Sequence, residues 1–248
     1  MIKRYLETLG NYTTLMLRAV DKPIKIRMFA KQLILEIIKL GVNSLPIVLI
    51  ISFFIGSVIT IQLSINMTNP LIPSFTIGFT AREIILLEFS STIMCLILAG
   101  KVGSSVASEL GTMRVTEQID AMEIMGINSA HFLMAPRITA FMLFIPVLSI
   151  FSMFIGILGG YLACLFIPSV PPDSYIYGIQ LFFKPAFVGH SITKSLVYAF
   201  IISSVAAYYG YTVKGGALQV GNASTKAVVN SSVLILFFDL ILTNLLLG

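Results

Sequence analysis

The sequence predicts an all-α, polytopic membrane protein. It should have N-terminal interfacial helices, five transmembrane helices, and a short cytoplasmic helix between the second and third spans. Three observations predict this. Apolar residues make up 57% of the 248-residue chain and charged residues only 11%, against roughly 25% charged in soluble domains, and mean hydropathy is +0.96. Five apolar runs, near 45–62, 84–106, 138–167, 187–213 and 227–247, are each about as long as a bilayer requires. Eight of the sixteen Lys and Arg precede residue 40, an asymmetry that sets membrane orientation rather than marking a nucleic-acid partner.

Residues 1–40 form a basic N-terminal region. Tyr5, Leu6, Leu9, Tyr12, Leu15 and Met16 recur at helical spacing beside Lys3, Arg4 and Arg18. Pro23 breaks this pattern, and Lys25 to Lys39 begins a second amphipathic stretch. Both read as helices at the cytoplasmic interface, the second turning into the membrane. No short apolar run leads to a small-residue cleavage site, so no removable signal peptide is expected.

Residues 41–248 hold the membrane domain. Residues 41–81 carry no charge, and Asn66 to Pro73 reads as a loop after the first span. The third span has 30 uncharged residues, 138–167, or ~45 Å of helix, more than the hydrocarbon core needs. Pro146, Gly156, Gly159 and Gly160 allow it to kink or tilt. Pro168 to Pro185 reads as an external loop with room for a short helix, and Lys214 to Lys226 as a Gly-rich polar turn. Cys95 and Cys164 fall inside spans, where they act as small apolar side chains.

Between spans two and three, Ala99 to Thr139 holds seven of the 27 charges. Residues 112–126 fit an amphipathic helix with Val115, Ile119, Met122 and Gly126 on one face and Glu117, Asp120 and Glu123 on its neighbour. It is too short and too charged to cross a bilayer. Two readings fit: a helix lying on the membrane, or one docking on a cytosolic partner. The acidic face favours docking, because surface-bound helices usually carry Lys and Arg. At the inner end of span two, Gly100-Ser104-Ser108 and Gly103-Ala107-Gly111 form two small-residue series suited to close helix packing.

Positive residues place this region inside the cell. With the N-terminus cytoplasmic, twelve Lys and Arg lie on the inner side and two, Arg82 and Lys184, on the outer. The C-terminus is then outside. Three ionisable residues lie well within spans: Glu88, Lys194 and Asp239. Such residues are costly in lipid. They serve either as a structural ion pair locking helices or as a substrate contact. His131 and His190 are isolated and lack metal-ligand spacing. No phosphate-binding loop, paired Cys/His pattern or Ser/His/Asp constellation occurs. No catalytic residue, metal ligand or cofactor is therefore expected in this chain, and any nucleotide must be bound by another.

The run GKVGSSVASELGTMRVTEQIDAMEIMGIN resembles the signature of MlaE-type permeases, the membrane subunits of lipid-transporting ABC systems that work with MCE-domain proteins. GVNSLPIVLIISFFIGSVITIQ is similar to that family's first span, ITKSLVYAF to its fourth and VVNSSVLILFFDLILTNLLLG to its last. The resemblance implies a homodimer in the bacterial inner membrane with phospholipid, or a related lipid, bound along the first, second and fifth spans. Ile55, Ile59, Gln62, Glu88, Lys194 and Asp239 then belong to the lipid path. It also implies that the helix over 112–126 is a coupling helix. Glu109, Met113, Arg114, Glu117, Asp120, Met122 and Glu123 would then dock on a cytoplasmic ATPase that binds ATP. An MCE-domain protein would cover the periplasmic side and carry lipid between the inner and outer membranes. Where the family often has Arg-Glu-x-Gly-Pro, this chain has Leu87-Glu88-Phe89-Ser90-Ser91, and Lys101 replaces an Arg. Two other functions are compatible with the charges: a non-transporting scaffold for an ATPase and an MCE protein, or an ion-coupled secondary transporter. The latter commonly shows internal repeats, and no convincing repeat is found.

Overall fold

A computed structural model describes residues 2–20, 26–67, 73–166 and 170–247. Among them are helices and no strand: α1 (Ile2–Val20), α2 (Ile26–Asn66), α3 (Phe75–Val115), α4 (Gln118–Ile124), α5 (Ser129–Cys164), α6 (Pro172–Gln180), α7 (Ala186–Tyr211) and α8 (Ala217–Leu247). Five of these, α2, α3, α5, α7 and α8, are long and apolar enough to cross a membrane. The expected fold class and span count agree with this. The expected break at Pro23, most of the first loop and Pro168 lie outside the described residues.

Several boundaries differ from the sequence reading. The first span continues a helix that begins at Ile26, through a π segment at Ile37–Gly41 and a 3-10 turn at Val42–Ser44. The second begins at Phe75, so Arg82 lies inside a helix rather than in an outer loop. It also runs on to Val115, and the helix expected over 112–126 is two helices. They part at Glu117, whose φ of 58° is left-handed. Val115 and Thr116 are consecutive β-branched residues with weak helix preference, and the Thr116 hydroxyl donates back to the Thr112 carbonyl at 2.8 Å. The proposed continuous face through Val115 and Ile119 therefore does not exist. Nor does the long Gly-rich turn over Lys214 to Lys226. The chain reverses at Thr212–Gly216 and is helical from Ala217, with Gly215 at φ +114° supplying the backbone state that only glycine adopts easily.

The chain divides into two compact units. One contains Ser44–Cys95, Ile145–Leu196 and Ile241–Gly248. Here the C-terminal part of α2 packs on α5 with backbones in contact. A Cβ on Gly56 would lie 1.9 Å from the Gly156 carbonyl oxygen, and one on Gly159 would lie 2.2 Å from that of Phe53. Ser52 Oγ donates to Ser152 Oγ at 2.9 Å, and Ser57 Oγ to the Gly159 carbonyl at 2.9 Å. The start of α3 packs on α6 in the same way, Gly78 against Tyr175 and Gly178 against Phe75. Arg82 ties this pair together. It is buried, it donates to the carbonyls of Ile179 and Leu181 at 2.7 and 2.8 Å, and its guanidinium stacks over Phe79 and Phe183.

The other unit contains Met1–Asn43, Leu96–Phe144 and Val197–Leu240. Helix α1 is fastened at three points. Tyr12 donates to Ser204 Oγ at 2.8 Å, Asn128 Nδ2 to the Arg18 carbonyl at 2.9 Å, and His131 Nδ1 to the Ala19 carbonyl at 2.6 Å. His131 is thus a buried tether. Of the two small-residue series, Gly103-Ala107-Gly111 makes the close contacts. Gly103 faces Ile202, Gly111 faces Val213 and Val220, and Gly210 of α7 lies against the Ala107 backbone. Gly100 of the other series meets nothing within 4 Å.

Candidate functional site

Within the first-described unit, Glu88 and Lys194 come together. Lys194 Nζ lies 3.1 Å from Glu88 Oε1 and 3.5 Å from the Leu87 carbonyl. The pair is lopsided, since the Lys194 side chain is 2% exposed and that of Glu88 41%. Glu88 sits in a π-helical stretch of α3, Ile85–Ile93. Ser90 and Ser91 donate to the carbonyls of Leu86 and Leu87, each at 2.9 Å, competing with the ordinary helical ladder. Such wide turns are frequent at functional sites. Ile55 is half-buried and Gln62 exposed. Ile59 packs against the clusters built on Tyr175 and on Met153. In the other unit, Asp239 accepts a hydrogen bond from the Tyr198 hydroxyl at 2.7 Å.

The docking candidates also lie in that other unit, and they divide into two groups. Glu109 sits in a chain of alternating charges: Lys39 Nζ at 2.5 Å from its Oε2, Arg137 Nη2 at 3.1 Å from its Oε1, and Arg137 Nε 3.1 Å from Glu36 Oε1. This chain joins α2, α3 and α5, and Arg137 is nearly fully buried. Sequence reasoning used Arg137, Lys39 and Glu36 only for orientation or amphipathicity. The signal that could have singled out Arg137 is a lone cation at the head of an uncharged run.

Helix α4 carries the second group. Ile119 is fully buried, while Ile124 is 88% and Met125 67% exposed. Gly126, at φ +77°, ends the segment. Arg114 Nη1 lies 2.5 Å from Asp120 Oδ1, and its guanidinium approaches the ring of Tyr211. Glu123 Oε1 accepts from the Tyr211 hydroxyl and from Ser129 Oγ, each at 2.9 Å. The Tyr211 hydrogen bond, more than any other contact, holds the Glu123 carboxyl below the usual carboxylate range. The helix is thus fixed at its base by α5 and α7 side chains. Glu117 is exposed, and Met113 and Met122 are half-buried. Ile124, Met125, Ser129 and Tyr211 are additions to the sequence-based set. Ile124 stands in the sequence as the one apolar residue on the acidic face, and Met125 could have been found as its apolar neighbour.

Among the described residues no group of three or more His, Cys, Asp or Glu could hold a metal ion. Residues 33–245 match the family model described as Permease MlaE. The chain is 32% identical over 246 residues to a probable ABC transporter permease protein of Rickettsia bellii, a match covering 98% of this chain and 93% of that protein. It is 35% identical over 191 residues to a protein of the same description from Synechocystis, covering 77% and 72% respectively. A third such protein, from Pyropia yezoensis, is 30% identical over 254 residues, covering 98% and 90%.

Proposed function

This chain belongs to the MlaE permease family, and on that footing we propose that it is the membrane subunit of an ABC transporter that moves phospholipid, or a related lipid, between the bacterial inner and outer membranes. It works as a homodimer in the inner membrane, N-terminus cytoplasmic and C-terminus periplasmic. A cytoplasmic ATPase binds and hydrolyses ATP, and an MCE-domain protein on the periplasmic side carries the lipid. The matches to probable ABC transporter permeases over nearly the whole chain support the class.

The observation that carries the mechanism is α4. An energy-coupling contact must be rigid at its base and open at its tip. Here Glu123 is held by Ser129 and Tyr211 while Glu117, Ile124 and Met125 face outward. Glu109, by contrast, passes force rather than making the contact, since both its oxygens are taken by Lys39 and Arg137. Movement of α4 therefore reaches α2 and α5 through paired charges. The open face of α8 supports a second copy with lipid between them. Val229, Val233, Leu236, Phe237 and Leu240 of this helix are each more than half exposed. Glu88, Lys194 and Asp239 are the polar groups on which a headgroup would be handed outward, since an anion leaving the cytoplasmic side needs a cation along a low-dielectric path.

Glu117→Lys combined with Asp120→Lys tests the docking role. The expected outcome is loss of the ATPase from the purified complex while the permease still inserts and dimerises. An intact complex after both changes assigns α4 another task.

A further inference from the structure

The charge chain at the start of α2 leaves two acceptors over. Glu36 gives Oε1 to Arg137, but its Oε2, and Oε1 of Gln32 one turn earlier, are buried where no donor among the described residues reaches them. Both residues line a cavity of about 190 Å³ whose other walls are Leu35, Phe132, Leu133, Pro136 and the guanidinium-bearing Arg137. Buried acceptors without donors are costly, so whatever fills this cavity must bring N–H or O–H groups. Its surroundings decide the source. Ile34 and Leu35 are each 58% exposed and Ile38 is 49% exposed, an apolar surface of the kind that faces lipid.

We propose that this cavity binds the primary ammonium headgroup of an ethanolamine phospholipid. An ammonium carries three donors, enough to meet both Gln32 Oε1 and the Glu36 oxygen that Arg137 leaves over. The cavity is several times the volume of one water and admits the two-carbon arm. Lys31, exposed beside Gln32, supplies a cation for the phosphate. A choline headgroup has the same charge but no N–H, so it leaves both acceptors unmet. None of the lining residues belongs to the assigned lipid path. The bound molecule is therefore a resident lipid that braces α2 against α5, not cargo.

The test uses the full-length protein in nanodiscs of phosphatidylglycerol mixed with equal phosphatidylethanolamine and phosphatidylcholine. Retained lipids are counted by native mass spectrometry. Wild type should retain phosphatidylethanolamine over phosphatidylcholine by about tenfold, the discrimination expected for buried acceptors left unmet. Gln32→Met removes one acceptor and keeps the Glu36–Arg137 pair. Leu35→Trp closes the mouth from its exposed side. Each should abolish the excess, and cargo lipid cancels in the comparison because its path is unchanged. Equal retention of the two lipids by wild type, which is the outcome if the cavity holds only water, overturns the proposal. Survival of the excess in either variant also overturns it.

Discussion

Glu88 and Lys194 share one ion pair on unequal terms, and the inequality makes it testable. Lys194 is 2% exposed and Glu88 41%, so the two deletions should not cost the same. Glu88→Leu takes the Glu88 carboxylate from a buried ammonium, a loss of up to ~3–5 kcal/mol. Lys194→Met leaves the less enclosed carboxylate, which can take up a proton instead, and should cost no more than about 1–2 kcal/mol. Thermal unfolding in detergent should rank the variants in that order. Replacing both residues should recover most of the stability, since a pair removed together is often near neutral. Lipid content then separates the roles: a folded double variant that binds little lipid marks a headgroup contact, whereas one that binds and transports normally marks a purely structural pair. Glu123 offers a second test. Its carboxyl is held low by Tyr211, so its contribution is present above the unfolded carboxylate value near ~4.3 and is lost as pH falls through the lower folded value. Proteolytic nicking near Gly126 should rise as pH drops below about 4, and Tyr211→Phe should flatten that dependence. Glu88 and Lys194 were legible in the sequence because charge in an apolar run is conspicuous, and Glu123 because it falls on an acidic helical face. Tyr211 and Arg137 were not, because their role lies in contacts with residues distant in the chain.

At the scale of helices, hydropathy located all five spans but not their ends. It sees which residues avoid water, not which continue a helix beyond the bilayer, so α3 was read some nine residues short at each end. The parting of α3 from α4 was invisible for a different reason. A single left-handed residue, Glu117, redirects the chain without any change in composition. The π segment around Glu88 coincides with back-bonding by Ser90 and Ser91, which a hydropathy pattern does not reveal. Helix contacts yield a further prediction. Gly56→Ala places a methyl group 1.9 Å from a backbone oxygen that cannot rotate away, and such overpacking should destabilise by ~1–3 kcal/mol. Gly189→Ala, with nothing within 4 Å, should be neutral or gain up to ~1 kcal/mol from helix propensity. Melting temperatures of the two variants check this directly.

For the whole molecule, charge asymmetry and span count together predict an orientation with the N-terminus inside. A reporter inserted near Asn128 should be cytoplasmic, and one fused after Gly248 should be on the other side; either site reversed would mean a miscounted span. In the proposed function α4 lies inside, so the ATPase and the exposed residues of that helix would share a compartment and lipid would leave on the opposite face. The direct measurement is transfer of labelled phospholipid by the permease reconstituted in proteoliposomes with its ATPase and an MCE-domain acceptor. The expected result is ATP-dependent transfer that Glu117→Lys with Asp120→Lys abolishes. Steady ATP hydrolysis by an intact complex that transfers no phospholipid would contradict the proposed function and leave a scaffold in its place.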